Sequence, residues 1–177
     1  MKRRKFLKNT FAFSSISFLP STVWCLAKNT HLRTAHIGVG GMGMADLKDI
    51  SSHKLVRVIG LCDVDKKNLS AASKLFPDAK TFSDYRKLFD SIGKEIDAVI
   101  ISTPDHSHAP VSIMAMERGL NVYCQKPLTH HVSEARILKE MAEQNNLITQ
   151  MGIQIHSRNQ YRGTVQLIQS GIIGKVN

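Results

Sequence analysis

The chain is poor in cysteine, with three in 177 residues. An odd number argues against a disulfide-stapled scaffold, and Cys25, Cys62 and Cys124 show no metal-ligand spacing. Cys62 and Cys124 each end an apolar run, where a free thiol behaves as a small hydrophobe. The eight histidines contain no helix-spaced pair, so no metal site is expected. Runs of five like charges, internal repeats and low-complexity linkers are absent as well. The missing charge run matters because a formal net charge of +10 invites a nucleic-acid reading. Residues 1–28 hold six of the 24 basic residues (Lys2, Arg3, Arg4, Lys5, Lys8 and Lys28) and no acid, which leaves 18 basic against 14 acidic residues in the remainder. That excess is mild and scattered, and no nucleic-acid partner is expected. What is present is 42% hydrophobic and 21% charged residues, the balance of a globular protein. The length allows one well-buried domain and is too short for two of ordinary size.

The first thirty residues read as an address. Lys2-Arg3-Arg4-Lys5-Phe6-Leu7-Lys8 resembles the twin-arginine export motif, and residues 9–24 form an uncharged, moderately apolar stretch interrupted by Pro20. This is the n-region and h-region pattern of a signal peptide, too short and too polar for a stable membrane span. Cys25-Leu26-Ala27 offers a weak small-residue cleavage end, while the bulk of Trp24 disfavours a lipoprotein reading through Cys25. An ordinary basic amphipathic helix is the alternative. The expectation is an exported protein, periplasmic or membrane-tethered, with the twin-arginine machinery as a partner. That machinery carries folded proteins, which suits a protein that loads a cofactor before it leaves the cytoplasm.

Beyond residue 33 short apolar runs alternate with helical patterns. Strands are expected over 34–39, 54–62, 79–81, 98–102, 121–124 and 147–151. Helices are expected over 42–51, 66–76, 83–91 with Ser83 as cap, 108–118 with Gly119 as stop, 133–145 and 161–170. A further strand opens at 174–177. The second and fourth strands are dense in Val, Ile and Leu, as when both faces are covered. Repeated strand–helix–strand units imply parallel pairing with right-handed crossovers, hence an α/β fold built on a doubly wound parallel sheet.

Gly38-Val39-Gly40-Gly41-Met42-Gly43 fits G-x-G-x-x-G between the first strand and the first helix. Gly38 permits the tight turn, Gly40 lets backbone approach a pyrophosphate, and Gly43 lets the helix pack on its strand. The phosphates then sit on the unsatisfied N–H groups of that helix. The motif asks for an acid about 20 residues further on, and Asp63 stands at that distance, directly after the second strand. Its carboxylate can accept both ribose hydroxyls of NAD and would repel the 2′-phosphate of NADP. NAD is expected over NADP, with Lys66 and Lys67 near enough to soften that repulsion. Asp65 reads as a helix cap. A methyltransferase of the same general fold is the alternative, and it would leave two further motifs unexplained.

Those motifs are Thr103-Pro104-Asp105-His106-Ser107-His108 after the fourth strand and Gln125-Lys126-Pro127-Leu128 after the fifth, both on the sheet edge that forms a ligand crevice. With the glycine loop and its acid, with 149–154, and with the closing Gly171-Ile172-Ile173-Gly174-Lys175-Val176, they make residues 34–176 resemble the N-terminal domain of the Gfo/Idh/MocA oxidoreductases. The resemblance implies a Rossmann domain over 33–155, with 156–177 as a connecting helix and the start of a second, substrate-binding domain. It also implies a nicotinamide-dependent oxidation or reduction at a sugar or cyclitol hydroxyl carbon. The substrate is then a small carbohydrate-like molecule, and the full-length enzyme a homo-oligomer. This chain on its own is expected to be inactive, and a partner-dependent or non-catalytic nucleotide-binding fragment is the alternative.

By the same resemblance Lys126 orients the reacting hydroxyl and assists proton transfer. The cofactor set is Gly38, Gly40, Gly41, Met42, Gly43, Asp63, Thr103, Pro104, His108, Gln125 and Lys126. His108 is also a candidate catalytic group. The family's motif at the fifth strand is Glu-Lys-Pro, so Gln125 removes a carboxylate beside the lysine, and Pro127 is expected to follow a cis bond. His31, His36 and His53 read as bland. His106 is a weaker candidate for a site role, His130 and His131 are expected to face solvent or the second domain, and His156 is a candidate for lining the substrate pocket.

Overall fold

The computed structural model describes residues 31–172 and Gly174. The export signal expected in residues 1–30, and residues 175–177 of the strand expected at 174–177, lie outside the described residues.

Strand β1 (Leu32–Ile37) leads through the glycine loop into helix α1 (Met42–Ser51). There follow β2 (Val56–Cys62), α2 (Lys66–Leu75), the short β3 (Lys80–Phe82) and α3 (Tyr85–Ile92). The second half runs β4 (Ala98–Ile101), α4 (His108–Met116), β5 (Asn121–Gln125), α5 (Val132–Gln144), β6 (Thr149–Gly152) and α6 (Asn159–Gln169). The six strands form one sheet in the order β3-β2-β1-β4-β5-β6. The chain winds outward from β1 to one edge, then returns to β4 on the other side and winds to the opposite edge. The switch point therefore falls between β1 and β4, where an open α/β sheet leaves room for a ligand beyond its carboxyl ends.

Pairing is parallel, and its register brings the strand ends together. Ile37 pairs with Ile101, Ile101 with Cys124, and Gln125 with Gly152. The residues that follow β1, β4 and β5 thus leave the sheet at one level.

Both faces are covered, as the apolar strands require. On one face Ala35, Ile37, Val99, Ile101, Val122 and Cys124 pack against Leu88, Phe89 and Ile92 of α3, Val111 and Ala115 of α4, and Leu138 of α5. On the other, Val58 and Leu61 join Val39, Leu47 of α1 and Ala72 of α2. Alternation along a strand sends Thr34 and His36, and Tyr123 and Gln125, to this second face. The second face is accordingly more polar near β5 than a uniformly apolar reading implies. Burial of Leu47 and Leu61 alone, at 0% exposure each, contributes about 2–3 kcal/mol apiece relative to leaving them in water.

Helix starts follow local chemistry. Asp65 caps α2, its carboxylate accepting the Lys67 amide at 2.8 Å. The cap of α3 is Asp84 and not Ser83: the Asp84 carboxylate accepts the Arg86 amide at 2.9 Å. Both residue types cap well, but a carboxylate also meets the positive helix end with a charge. Gly119 closes α4 with φ of +73°. The expected strand starts at 54 and 147 come late, at Val56 and Thr149, because apolar residues flanking a strand need not join its ladder. No helix among the described residues is long and apolar enough to cross a membrane.

Candidate functional site

The glycine loop leaves β1 at the carboxyl edge. Gly38 adopts φ of +82°, and a Cβ there would lie 2.6 Å from the Ser102 carbonyl oxygen. A Cβ on Gly43 would overlap the Gly38 carbonyl. These two glycines let α1 begin directly against the end of β1 and beside β4. Gly41 stands at the N-cap and Met42 opens the helix, both exposed. No side chain caps α1, unlike α2 and α3, which Asp65 and Asp84 cap. The amides of that turn are the kind of end that receives an anion.

Asp63, directly after β2, faces this loop. One carboxylate oxygen accepts the Val39 amide at 2.9 Å and the other accepts the Asp65 amide at 2.9 Å. An ionised carboxylate has about four acceptor positions, so capacity for hydroxyl donors is left. The loop, Asp63, Thr103 and Pro104 border one cleft of about 530 Å³. Asn68 of α2 also lines it, with its amide packed against Gly40. The hydroxyl of Thr103 is buried and has no hydrogen-bond partner. An orphaned hydroxyl is costly unless something fills its need. A dinucleotide fits this donor and acceptor set: uncapped amides for phosphate and a carboxylate for ribose. A separate apolar hollow of about 330 Å³ between α4, α5 and β5–β6 contains none of these residues.

On the β5 side, Gln125 is buried and Lys126 exposed. The Lys126–Pro127 peptide bond is cis, as expected from the sequence. The residues on either side of the lysine are both held. The Gln125 side-chain amide donates to Asp46 at 2.7 Å, and a ring nitrogen of His108 lies 2.6 Å from the Pro127 carbonyl oxygen. The other ring nitrogen of His108 lies 2.7 Å from the Thr103 carbonyl oxygen. His108 is 1% exposed, and with both nitrogens turned to backbone it has none facing the cleft. Its place is therefore between the two crevice turns.

Asp46 was not among the residues singled out from the sequence. This buried carboxylate of α1 also accepts the Ser102 hydroxyl at 2.7 Å and the Gln154 amide at 3.2 Å. The Gln125 amide thus has a carboxylate of α1 as its partner. Burial, and then the charge of Asp46, raise the Tyr123 phenol above its ordinary pKa. Asp46 and Asn68 carry no local motif, since their partners lie far along the chain.

The remaining histidines scatter. His36 is buried in β1, its Nε2 3.3 Å from the Thr34 hydroxyl. His106 is exposed beside Asp105. His130 and His131 are exposed with ring centroids 4.7 Å apart, and Glu134 accepts both their amides. His156 is exposed, stacked on Tyr161 with centroids 4.9 Å apart.

Comparison with known proteins agrees with this geometry. A family model described as an oxidoreductase family with an NAD-binding Rossmann fold matches residues 32–153. A glycosyl hydrolase family 109 protein of Stenotrophomonas maltophilia (strain K279a) is 35% identical over 137 residues, covering 71% of this chain and 29% of that protein. An inositol 2-dehydrogenase of Corynebacterium glutamicum (strain R) is 28% identical, covering 82% of this chain and 43% of the relative. The crystal structure of myo-inositol 2-dehydrogenase from Lactobacillus plantarum superposes with a TM-score of 0.73 at 29% identity, again over 82% of this chain and 43% of that one. The chain spans less than half the length of these relatives.

Proposed function

Because the chain belongs to the Gfo/Idh/MocA oxidoreductase family through its NAD-binding Rossmann fold, we propose that it is the nucleotide-binding part of an NAD-dependent dehydrogenase acting on a ring hydroxyl of a sugar or cyclitol. The observation that carries this reading is Asp63 tied to the glycine loop while lining the same cleft as Thr103 and Pro104. The names of the relatives, an inositol dehydrogenase and a glycosyl hydrolase, favour a polyhydroxylated substrate.

In this reading the loop from Gly38 to Gly43 and the start of α1 hold the pyrophosphate, and Asp63 accepts the ribose hydroxyls. Asp63 also favours NAD over NADP, since a 2′-phosphate would meet its charge. Thr103 borders the cleft, and Gln125 sets the β5 turn. A bound nicotinamide supplies hydride acceptance or donation. Lys126 extends from the β5 end, positions the reacting hydroxyl and stabilises negative charge on its oxygen as the proton moves. His108 keeps the Thr103 and Pro127 turns at fixed spacing.

Titration with NADH, followed by its fluorescence, tests the nucleotide half; absence of binding at millimolar cofactor would reject it. Reduction of NAD⁺ across a panel of inositols, sugars and glycosides tests the substrate half in the full-length protein. We also propose export through the twin-arginine route on the strength of Arg3-Arg4-Lys5-Phe6-Leu7-Lys8. Retention of the protein in the cytoplasm of cells lacking that machinery would support it, and unchanged export would refute it.

A further inference from the structure

Asp46 gathers donors from three strand ends at once. Ser102 follows β4, Gln125 ends β5 and Gln154 follows β6, and each donates to its carboxylate at 2.7, 2.7 and 3.2 Å respectively. Asp46 itself sits in the second turn of α1, the helix that opens at the glycine loop. A carboxylate accepts and does not donate, so it fixes which way the Gln125 amide faces. With Nε2 held by Asp46, Oε1 turns to the following backbone and accepts the Lys126 amide at 3.3 Å. The order Asp46, Gln125, Lys126 is a chain of hydrogen bonds with one polarity. A neutral acceptor at position 46 would leave the Gln125 amide free to flip.

We propose that Asp46 is a positioning residue. It ties the Lys126 turn to the phosphate-binding helix, so that cofactor grip on α1 and the placement of Lys126 are coupled through Gln125. The coupling to cofactor rests on the nucleotide-binding reading above; the Asp46–Gln125 dependence does not.

The chemistry of the pair dictates the experiment. Asp46→Asn turns one of the two carboxylate acceptors into a donor, so the Ser102, Gln125 and Gln154 donors can no longer all be met in their present orientations. Gln125→Glu brings a second carboxylate to within hydrogen-bonding distance of the first inside the protein. The reciprocal double variant, Asp46→Asn with Gln125→Glu, restores one donor and one acceptor and keeps an acceptor for the Lys126 amide. NADH affinity and thermal midpoint are measured for the intact protein, both single variants and the double variant. Each single change is expected to weaken NADH binding about tenfold, the scale of one hydrogen bond to a charged group, and the double variant to recover most of it. Additive losses in the double variant would overturn the proposal. Recovery of the thermal midpoint without recovery of NADH affinity would reduce Asp46 to a structural role and also overturn it. Should a single variant not fold, a soluble, NADH-binding double variant supports the pairing and an insoluble one sinks it. If the unaltered protein binds no NADH, the nucleotide reading fails by itself. The thermal midpoints then decide whether the pair is interdependent.

Discussion

The backbone amide of Val39 donates to the Asp63 carboxylate at 2.9 Å, joining the glycine loop after β1 to the residue after β2. Loop and acid are thus one unit, although 24 positions separate them. Asp63→Ala is expected to weaken NAD⁺ binding by about 10- to 100-fold, because two ribose hydroxyls lose a charged acceptor. NADP⁺ binding should fall less, since the repulsion of its phosphate disappears with the same change. Calorimetric titration with both nucleotides checks this, and equal losses for the two would show that Asp63 does not read the ribose.

Lys126 and His108 should separate cleanly on mutation. The exposed Lys126 contributes little to folding, so Lys126→Ala is expected to stay within about 0.5 kcal/mol of the parent in denaturant unfolding. On the proposed reading, turnover of a sugar or cyclitol substrate should drop by about 10²-fold or more. His108→Ala leaves the Thr103 and Pro127 carbonyls facing a void and should cost about 2–4 kcal/mol of stability. A stable His108→Ala protein with lost turnover would instead make the imidazole an acid or base.

Acid sensitivity is written into β1. Burial lowers the His36 pKa from 6.5 to about 3, so the native state holds this ring neutral while the unfolded chain protonates it near 6.5. Its effect is therefore absent above pH 6.5, and stability falls as pH drops from 6.5 toward 3, by about 1.4 kcal/mol per pH unit. Urea midpoints between pH 7 and pH 5 should show the slope, and His36→Leu should flatten it. An unchanged slope in that variant would assign the acid loss to other groups.

The two buried thiols should be inert. Burial pushes Cys62 up to about 12, helped by the charges of Asp63 and Asp84, and pushes Cys124 up to about 11. Thiolate is the reacting form, so iodoacetamide at pH 8 is expected to leave both unmodified in the native protein and to label both after denaturation. Peptide mass analysis reads this directly, and rapid native labelling of Cys62 would mean that the end of β2 opens.

The features legible in the sequence were those whose cause is local. Helix α1 was expected at 42–51 and runs Met42–Ser51, because glycines that open it and a polar segment that ends it are neighbours in the chain. The sheet followed from the alternation of apolar runs and helical patterns. Asp63 could be found because the loop motif fixes its distance in residues. Asp46 could not, since its ties to Gln125 and Gln154 cross 79 and 108 positions, and an acid inside a helix reads as surface until the fold buries it. His108 was legible as a crevice residue but not in its orientation, which depends on where two backbone carbonyls fall.

The His108 ring also limits how the crevice can breathe. One flat, five-membered spacer bridges the turn carrying Thr103 and the turn carrying Lys126, so neither arm can swing without dragging its neighbour. The two behave as a single jaw with a preset gape.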